Sequence, residues 1–248
     1  MKELFLKDIS DSFVINENEK YFVDNFDGEK EIKLIVNDNV ESQLSLLSLS
    51  SFSGNVEIQI KKNSRLEIYF ADFAKKSSNA KVNISLEEGA KVVFHLASLT
   101  TEDSNKNFTV SVDHNAINTY SFVDNYGVVK ANGKLIFDGV SYIKNGSVKS
   151  KTRQNAKIMV FDEKSIGIAK PILKIDENDI EASHGAVVGK ISDEHLFYLM
   201  SRGLSEEKAK VLITYGYLRP IIQGFDDDSK DEINALMGEH LWFLTLIK

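Results

Sequence analysis

The chain has 248 residues, 42% of them hydrophobic and 27% charged, enough to bury a large core in one elongated domain or in one domain with an appendage. A formal charge of −7 disfavours a nucleic-acid partner. No apolar run approaches the roughly 20 residues of a bilayer span, and the opening MKELFLKDIS is too short an apolar stretch for a secretory signal. Cysteine is absent, which excludes disulfides and thiolate metal ligands on this chain and fits a cytoplasmic protein.

Residues 1 to about 30 are mixed, with short apolar pairs and the turn signal Asp27-Gly28. Alternation then begins: Ile32, Leu34 and Val36; Val56, Ile58 and Ile60; Leu66, Ile68 and Phe70; Val82, Ile84 and Leu86. A period of two sends alternate side chains to opposite faces, as in a half-buried strand. The pattern continues less cleanly through 108–112, 135–137, 147–149 and 158–160. Turns rich in Asn, Gly, Ser and Lys separate the runs, such as Asn132-Gly133 and Asn145-Gly146. No fixed repeat period emerges, but strands persist for well over 100 residues without a helix, long for one small barrel.

From Ser192 the pattern becomes helical. Ser192 or Asp193 suits a helix start, Gly203 a left-handed stop after Arg202, and Ser205 with Glu206 and Glu207 the start of a second helix. Val211, Tyr215, Leu218 and Ile222 share one face of that helix, and Pro220 is predicted to kink or end it. The run Asp226-Asp227-Asp228-Ser229 opens a last helix carrying Ile233, Leu236, Met237, Leu241 and Leu244 on one stripe. Its acids read as cap and dipole partners.

The candidate sites are sparse. His184, followed by Gly185, is the sharpest. An imidazole ligates a metal when a carboxylate or carbonyl orients its other nitrogen, and Glu181 is near in sequence. One histidine does not make a closed site, so by its own residues this position reads as structural. His95 reads as a core or groove residue, His114 as part of a turn, His195 as a first-turn residue and His240 as part of the last helix. No pair has a metal-motif spacing. Gly185–Ile191 imitates a phosphate loop but has three residues between its glycines and no Ser or Thr for magnesium. Neither a Gly-x-Ser-x-Gly elbow nor a marked acid–base pair is present. Arg202 either anchors the helix–helix turn or pairs with an acid across an interface. Phe197, Tyr198, Tyr215, Tyr217, Trp242 and Phe243 are aromatic anchors for a partner or for the body of the protein.

Pro171 on an alternating strand, Ser183-His184-Gly185-Ala186, Gly189, Leu196-Phe197-Tyr198, Ser201-Arg202-Gly203-Leu204-Ser205 and Ala209 together resemble the C-terminal core of the SufB/SufD family of iron–sulfur cluster assembly. The Ser-His-Gly-Ala form and the lack of cysteine point to the SufD side. The resemblance implies a right-handed parallel β-helix over 1–191 with a C-terminal helical subdomain over 192–248. It also implies a non-catalytic scaffold that pairs with a SufB-like subunit or with itself and docks a SufC-like ABC ATPase. Phe197, Tyr198, Arg202, Tyr215 and Tyr217 would form the partner-binding region. His184 would be an interface metal ligand where an iron–sulfur cluster forms, with no cofactor held by this chain alone. Two rivals remain: a carbohydrate-active β-helix enzyme, and a homodimeric structural protein without metal.

Overall fold

The computed structural model describes residues 1–7, 9 and 11–239, the last two of these by backbone only. Fifteen strands precede three helices. The strands are β1 (Lys2–Leu6), β2 (Ser12–Ile15), β3 (Glu19–Val23), β4 (Gly28–Val36), β5 (Glu41–Ser48), β6 (Phe52–Ile60), β7 (Arg65–Asp72) and β8 (Ser78–Leu86). They continue with β9 (Lys91–Thr100), β10 (Asn105–His114), β11 (Tyr120–Val129), β12 (Lys134–Ile143), β13 (Ser150–Val160), β14 (Ile166–Ile175) and β15 (Ile180–Lys190). The helices are α1 (Asp193–Ser201), α2 (Glu206–Ile222) and α3 (Asp227–Glu239).

Odd-numbered strands form one eight-stranded sheet in chain order, and even-numbered strands form a seven-stranded sheet. All the pairings are parallel, as in Lys91 opposite Arg65 and Ser78 opposite Lys106. Each coil therefore contributes one strand to each sheet, and the chain winds as the β-solenoid that the resemblance implied. Parallel return to the same sheet is the connection that L-polypeptides make right-handed.

The coil lengthens as it winds. Ser12 lies opposite Lys33, 21 residues on; Gly28 opposite Phe52, 24 on; Ser53 opposite Asn79, 26 on; and Lys134 opposite Ile166, 32 on. A growing coil keeps its strands in register in space while erasing a fixed period from the sequence. One corner nevertheless repeats. Asn39, Asn63, Gly89, Asn118 and Lys149 all have positive φ between 56° and 68°, each one coil apart. Each donates its N–H to a carbonyl of the next coil, as Asn63 does to Glu88 at 2.9 Å and Asn118 to Val148 at 3.0 Å. Asn and Gly tolerate this left-handed geometry best.

Three sequence expectations are corrected. The mixed opening holds β1 to β3, too short to show clean alternation, and residues 147–149 are a turn that precedes β13. α2 also runs two residues beyond Pro220. Pro220 sits in the last turn, so the helix loses only one hydrogen bond there.

The core lies between the sheets. Phe26 stacks on Phe52 at 4.6 Å, and Phe70 meets Phe108 edge-on at 5.9 Å; Phe94 is buried beside them. A second apolar cluster lies on the outer face of the larger sheet. There Leu47, Ala71, Phe73, Ala97, Leu99 and Val128 receive Val211, Leu218 and Ile222 of α2 and Ile233 and Met237 of α3. Ala71 and Ala97 are small enough to let the helix approach. Gly224 closes the packing: a Cβ there would lie 2.2 Å from the Tyr69 ring, and its carbonyl accepts from Gln43 Nε2 at 2.7 Å and Ser45 Oγ at 2.8 Å. Asp226 caps α3, accepting from the Ser229 backbone at 3.1 Å, as the acidic run predicted. Leu241, Leu244, His240, Trp242 and Phe243 lie outside the described residues.

Candidate functional site: the open end of the solenoid

β14 and β15 end the two sheets, each paired on one side only. Their free edges carry unpaired backbone groups, the feature that invites another strand. Pro171 lies in β14 opposite Gly139. A proline is accommodated in an edge strand because no further strand requires its missing N–H. Apolar side chains are bare at this end, including Ile172, Ile175, Val187 (62% exposed) and Val188.

His184 sits in this last coil. On the inner face of the larger sheet, Leu44, Ile68, Phe94, Val123, Gln154 and His184 form one row across six strands. The first four are covered by the next coil, whereas His184 is exposed because no coil follows. Glu181 points to the opposite face and pairs with Lys151 at 2.7 Å, so it does not orient the His184 ring. Among the described residues, no group of three or more His, Cys, Asp or Glu side chains is placed to hold a metal ion. His184 can therefore offer one nitrogen at an exposed edge, and the described residues supply no complete coordination sphere around it.

Below His184 the interior is polar. His114, expected in a turn, instead ends β10 fully buried and anchors a network. Its Nδ1 lies 2.7 Å from Thr119 Oγ1, and its Nε2 lies 2.9 Å from Ser121 Oγ. Ser121 meets Thr152 at 2.7 Å, Thr152 donates to Ser141 at 2.9 Å, and Gln154 Nε2 donates to Ser141 at 2.6 Å and to the Ile172 carbonyl at 3.2 Å. Burial lowers the His114 pKa to about 4, so the ring is neutral at pH 7. Gln154 Oε1 has no partner. A Cβ on Gly139 would lie 2.6 Å from that oxygen, so a larger residue there would have to push the Gln154 amide aside. The sequence clue was a run of Ser and Thr at inward positions, visible only once the register is known.

The helical end divides the predicted partner-binding residues. Ser192 caps α1, its Oγ accepting from the His195 backbone at 3.3 Å. Gly203 (φ 92°) ends it, with Gly203 and Leu204 donating to the Met200 and Leu199 carbonyls. α1 buries no residue. Phe197 is 73% exposed and Tyr198 56%, and the Arg202 guanidinium lies 5.2 Å from the Tyr198 ring centroid instead of on the helix carbonyls. Tyr215 and Tyr217 are half-buried against the outer face of the larger sheet, Tyr217 meeting Tyr126 edge-on at 5.5 Å. Burial pushes the Tyr217 hydroxyl up to about 12. His95 is also on that outer face, stacked on Tyr69 at 4.7 Å and 3.6 Å from Glu67, which it holds below the usual carboxylate range.

Comparison with known proteins places this geometry. Residues 40–217 match the family described as "SUF system FeS cluster assembly, SufBD core domain". The chain is 40% identical over 101 residues, 41% of its length and 23% of the relative's, to the iron–sulfur cluster assembly protein SufD of Bacillus subtilis. It is 31% identical over 124 residues, 50% of its length and 27% of theirs, to SufBD family proteins of Staphylococcus haemolyticus and Staphylococcus aureus. The matched part spans about a quarter of each of these relatives. With its family match beginning just before β5 and ending in α2, the chain belongs to the SufBD core family of iron–sulfur cluster assembly.

Proposed function

We propose that this chain is a non-catalytic scaffold subunit of iron–sulfur cluster assembly in the cytoplasm, with a body over 1–191 and a helical handle over 192–248. The observation that carries the reading is the open final coil, where two parallel strands with one free edge each, bare isoleucines and valines, and an exposed inward-row histidine coincide. A SufB-like subunit, or a second copy, adds its own strands to β14 and β15 and covers Ile172 and Val187. His184 then faces that partner and donates one ligand to a nascent cluster, the substrate of the assembly.

The second contact is α1. Its exposed Phe197, Tyr198 and Arg202 form a small aromatic and cationic face suited to a SufC-like ABC ATPase. Tyr215 and Tyr217 support that face from below, because they fix α2 to the sheet. This is how nucleotide-driven movement of the ATPase would reach the solenoid. The carbohydrate-active alternative draws on a groove outside the smaller sheet that contains Glu57 and Asp113. These acids lie two strands and two residues apart, about 12 Å between Cα atoms by strand geometry, and Lys144 engages Asp113 at 3.2 Å. The ion pair with Lys144 commits Asp113 and does not favour a hydrolytic role for it.

Co-purification tests the reading. The chain should retain a SufC-like ATPase and a SufB-like subunit together. F197D/Y198D should lose the ATPase alone, and I172K/V187K should lose the SufB-like subunit or the second copy alone. Retention of both partners by both variants refutes the assignment of surfaces.

A further inference from the structure

One row on the outer face of the larger sheet runs Glu41, Arg65, Lys91, Tyr120, Lys151 and Glu181, one residue per coil. Lys149, at the left-handed corner just before β13, stands beside it. Arg65, Lys91, Lys149 and Lys151 line one groove of about 560 Å³ together with Tyr120, and no carboxylate lines it. A neighbouring groove of about 440 Å³ continues past Arg65 and Lys91 to Asn39 and Asn63. Carboxylates meet these cations only at the margins of the groove, on a chain of formal charge −7.

The cations are not equally engaged. Arg65 is held by Glu41 at 3.5 Å and Glu67 at 3.7 Å, and Lys151 by Glu181 at 2.7 Å. Lys91 and Lys149 are exposed and pair with no carboxylate among the described residues. Tyr120 is 37% exposed between them. Like charges held side by side on adjacent strands are unfavourable unless a counter-charge is supplied. Neighbouring strands are about 4.8 Å apart, so Arg65 to Lys151 spans roughly 14 Å. Glu41 and Glu181 close the row at both ends, which excludes a long polyanion such as nucleic acid and leaves room for a short one.

We propose that this groove binds a small multivalent oxyanion, a ligand carrying linked phosphates or several carboxylates. Lys91 and Lys149 supply its central charge contacts, Arg65 and Lys151 flank them, and the Tyr120 hydroxyl donates a hydrogen bond. Lysine ammonium groups bind such oxygens as point charges. The groove lies away from α1 and adjoins the open end only where Lys151 meets Glu181 of β15, and its test uses this chain alone.

Isothermal titration of the full chain with tripolyphosphate, and in parallel with citrate, tests this at 50 mM and 200 mM NaCl. Saturable binding that weakens with salt is expected for at least one of the two, and which one binds names the source of the charge. K91E/K149E should weaken it at least tenfold. K91M/K149M should weaken it less and guards against misfolding of the reversed variant, with thermal melting as the check on both. K170E, on the other sheet, should leave the affinity unchanged. No heat with either anion at millimolar concentration, or equal affinity in the chain and in K91M/K149M, overturns the proposal.

Discussion

The early coils and the coils from His114 onward share one backbone plan and differ in what they enclose. In the early coils the inner row reads Leu44, Ile68 and Phe94, and the opposite sheet contributes Phe52 and Phe108. In the later coils the inner face carries Ser121, Thr152 and Gln154 beside Val123, Ala156 and Ile158; Ser141 joins Gln154 to Thr152, and Ser121 joins Thr152 to buried His114. Apolar burial stabilises the first part without regard to direction. The second part is held by groups that each need a partner in a fixed place, and it leads up to the exposed His184. A covered coil tolerates any well-packed hydrophobe, whereas the end coil keeps its polar side chains aligned beneath a surface left open.

One exception sharpens the contrast. Between β7 and β10, where the apolar coils give way to the polar ones, Lys106 and Asp72 form a fully buried ion pair, with Lys106 Nζ also donating to the Leu99 carbonyl at 2.9 Å. Burial pushes the Lys106 ammonium down while the Asp72 charge opposes the shift. Lys106→Met strands the Asp72 charge and should cost about 3–5 kcal/mol in urea unfolding. The pair Asp72→Leu with Lys106→Met should recover most of that loss. If the double variant is as unstable as the single one, the polar pair is required for the coil to close.

Phe94→Ala should cost about 3–5 kcal/mol by the same measurement, since it opens a cavity in the packed row. An effect under 1 kcal/mol would show that the early coils collapse as freely as an exposed end. Acid should act on the late coils through His114. Its folded pKa of about 4 lies below the unfolded value near 6.5, so the unfolded chain takes up the proton first. The stabilisation is complete above pH 6.5 and is lost as pH falls towards 4, on the order of 3 kcal/mol in all. Urea midpoints at pH 7, 5.5 and 4.5 should therefore fall less steeply in His114→Gln than in the parent chain. Equal slopes would place the acid sensitivity elsewhere.

Ser141→Ala removes the acceptor shared by Thr152 and Gln154 and should cost about 1–3 kcal/mol. His184→Ala should change stability by less than about 0.5 kcal/mol, because the side chain is exposed and holds nothing in this chain. A larger loss would mean that His184 is part of the polar interior and not a surface group awaiting a partner.

Much of this was legible in the residues. Period-two alternation fixed the strand texture of the middle of the chain, and Ser192, Gly203 and Ser205 marked helix ends that the hydrogen bonds bear out. The spaced motifs around His184 pointed to the family that residues 40–217 match. His114 was misread because a neighbouring Asp and Asn look like turn chemistry, while its burial depends on strands β8 and β12, whose Leu86 and Ile143 lie opposite it from 28 and 29 residues away. Tyr215 and Tyr217 looked like partner anchors equal to Phe197 and Tyr198, and only the docking of α2 on the sheet separates them. Local order was set by the sequence itself, because alternation and capping are decided by neighbours a few residues apart. The widening coil, the polar end of the interior and the aligned cationic row were decided by tertiary structure alone, because each depends on which residue of one coil lies above which residue of the next.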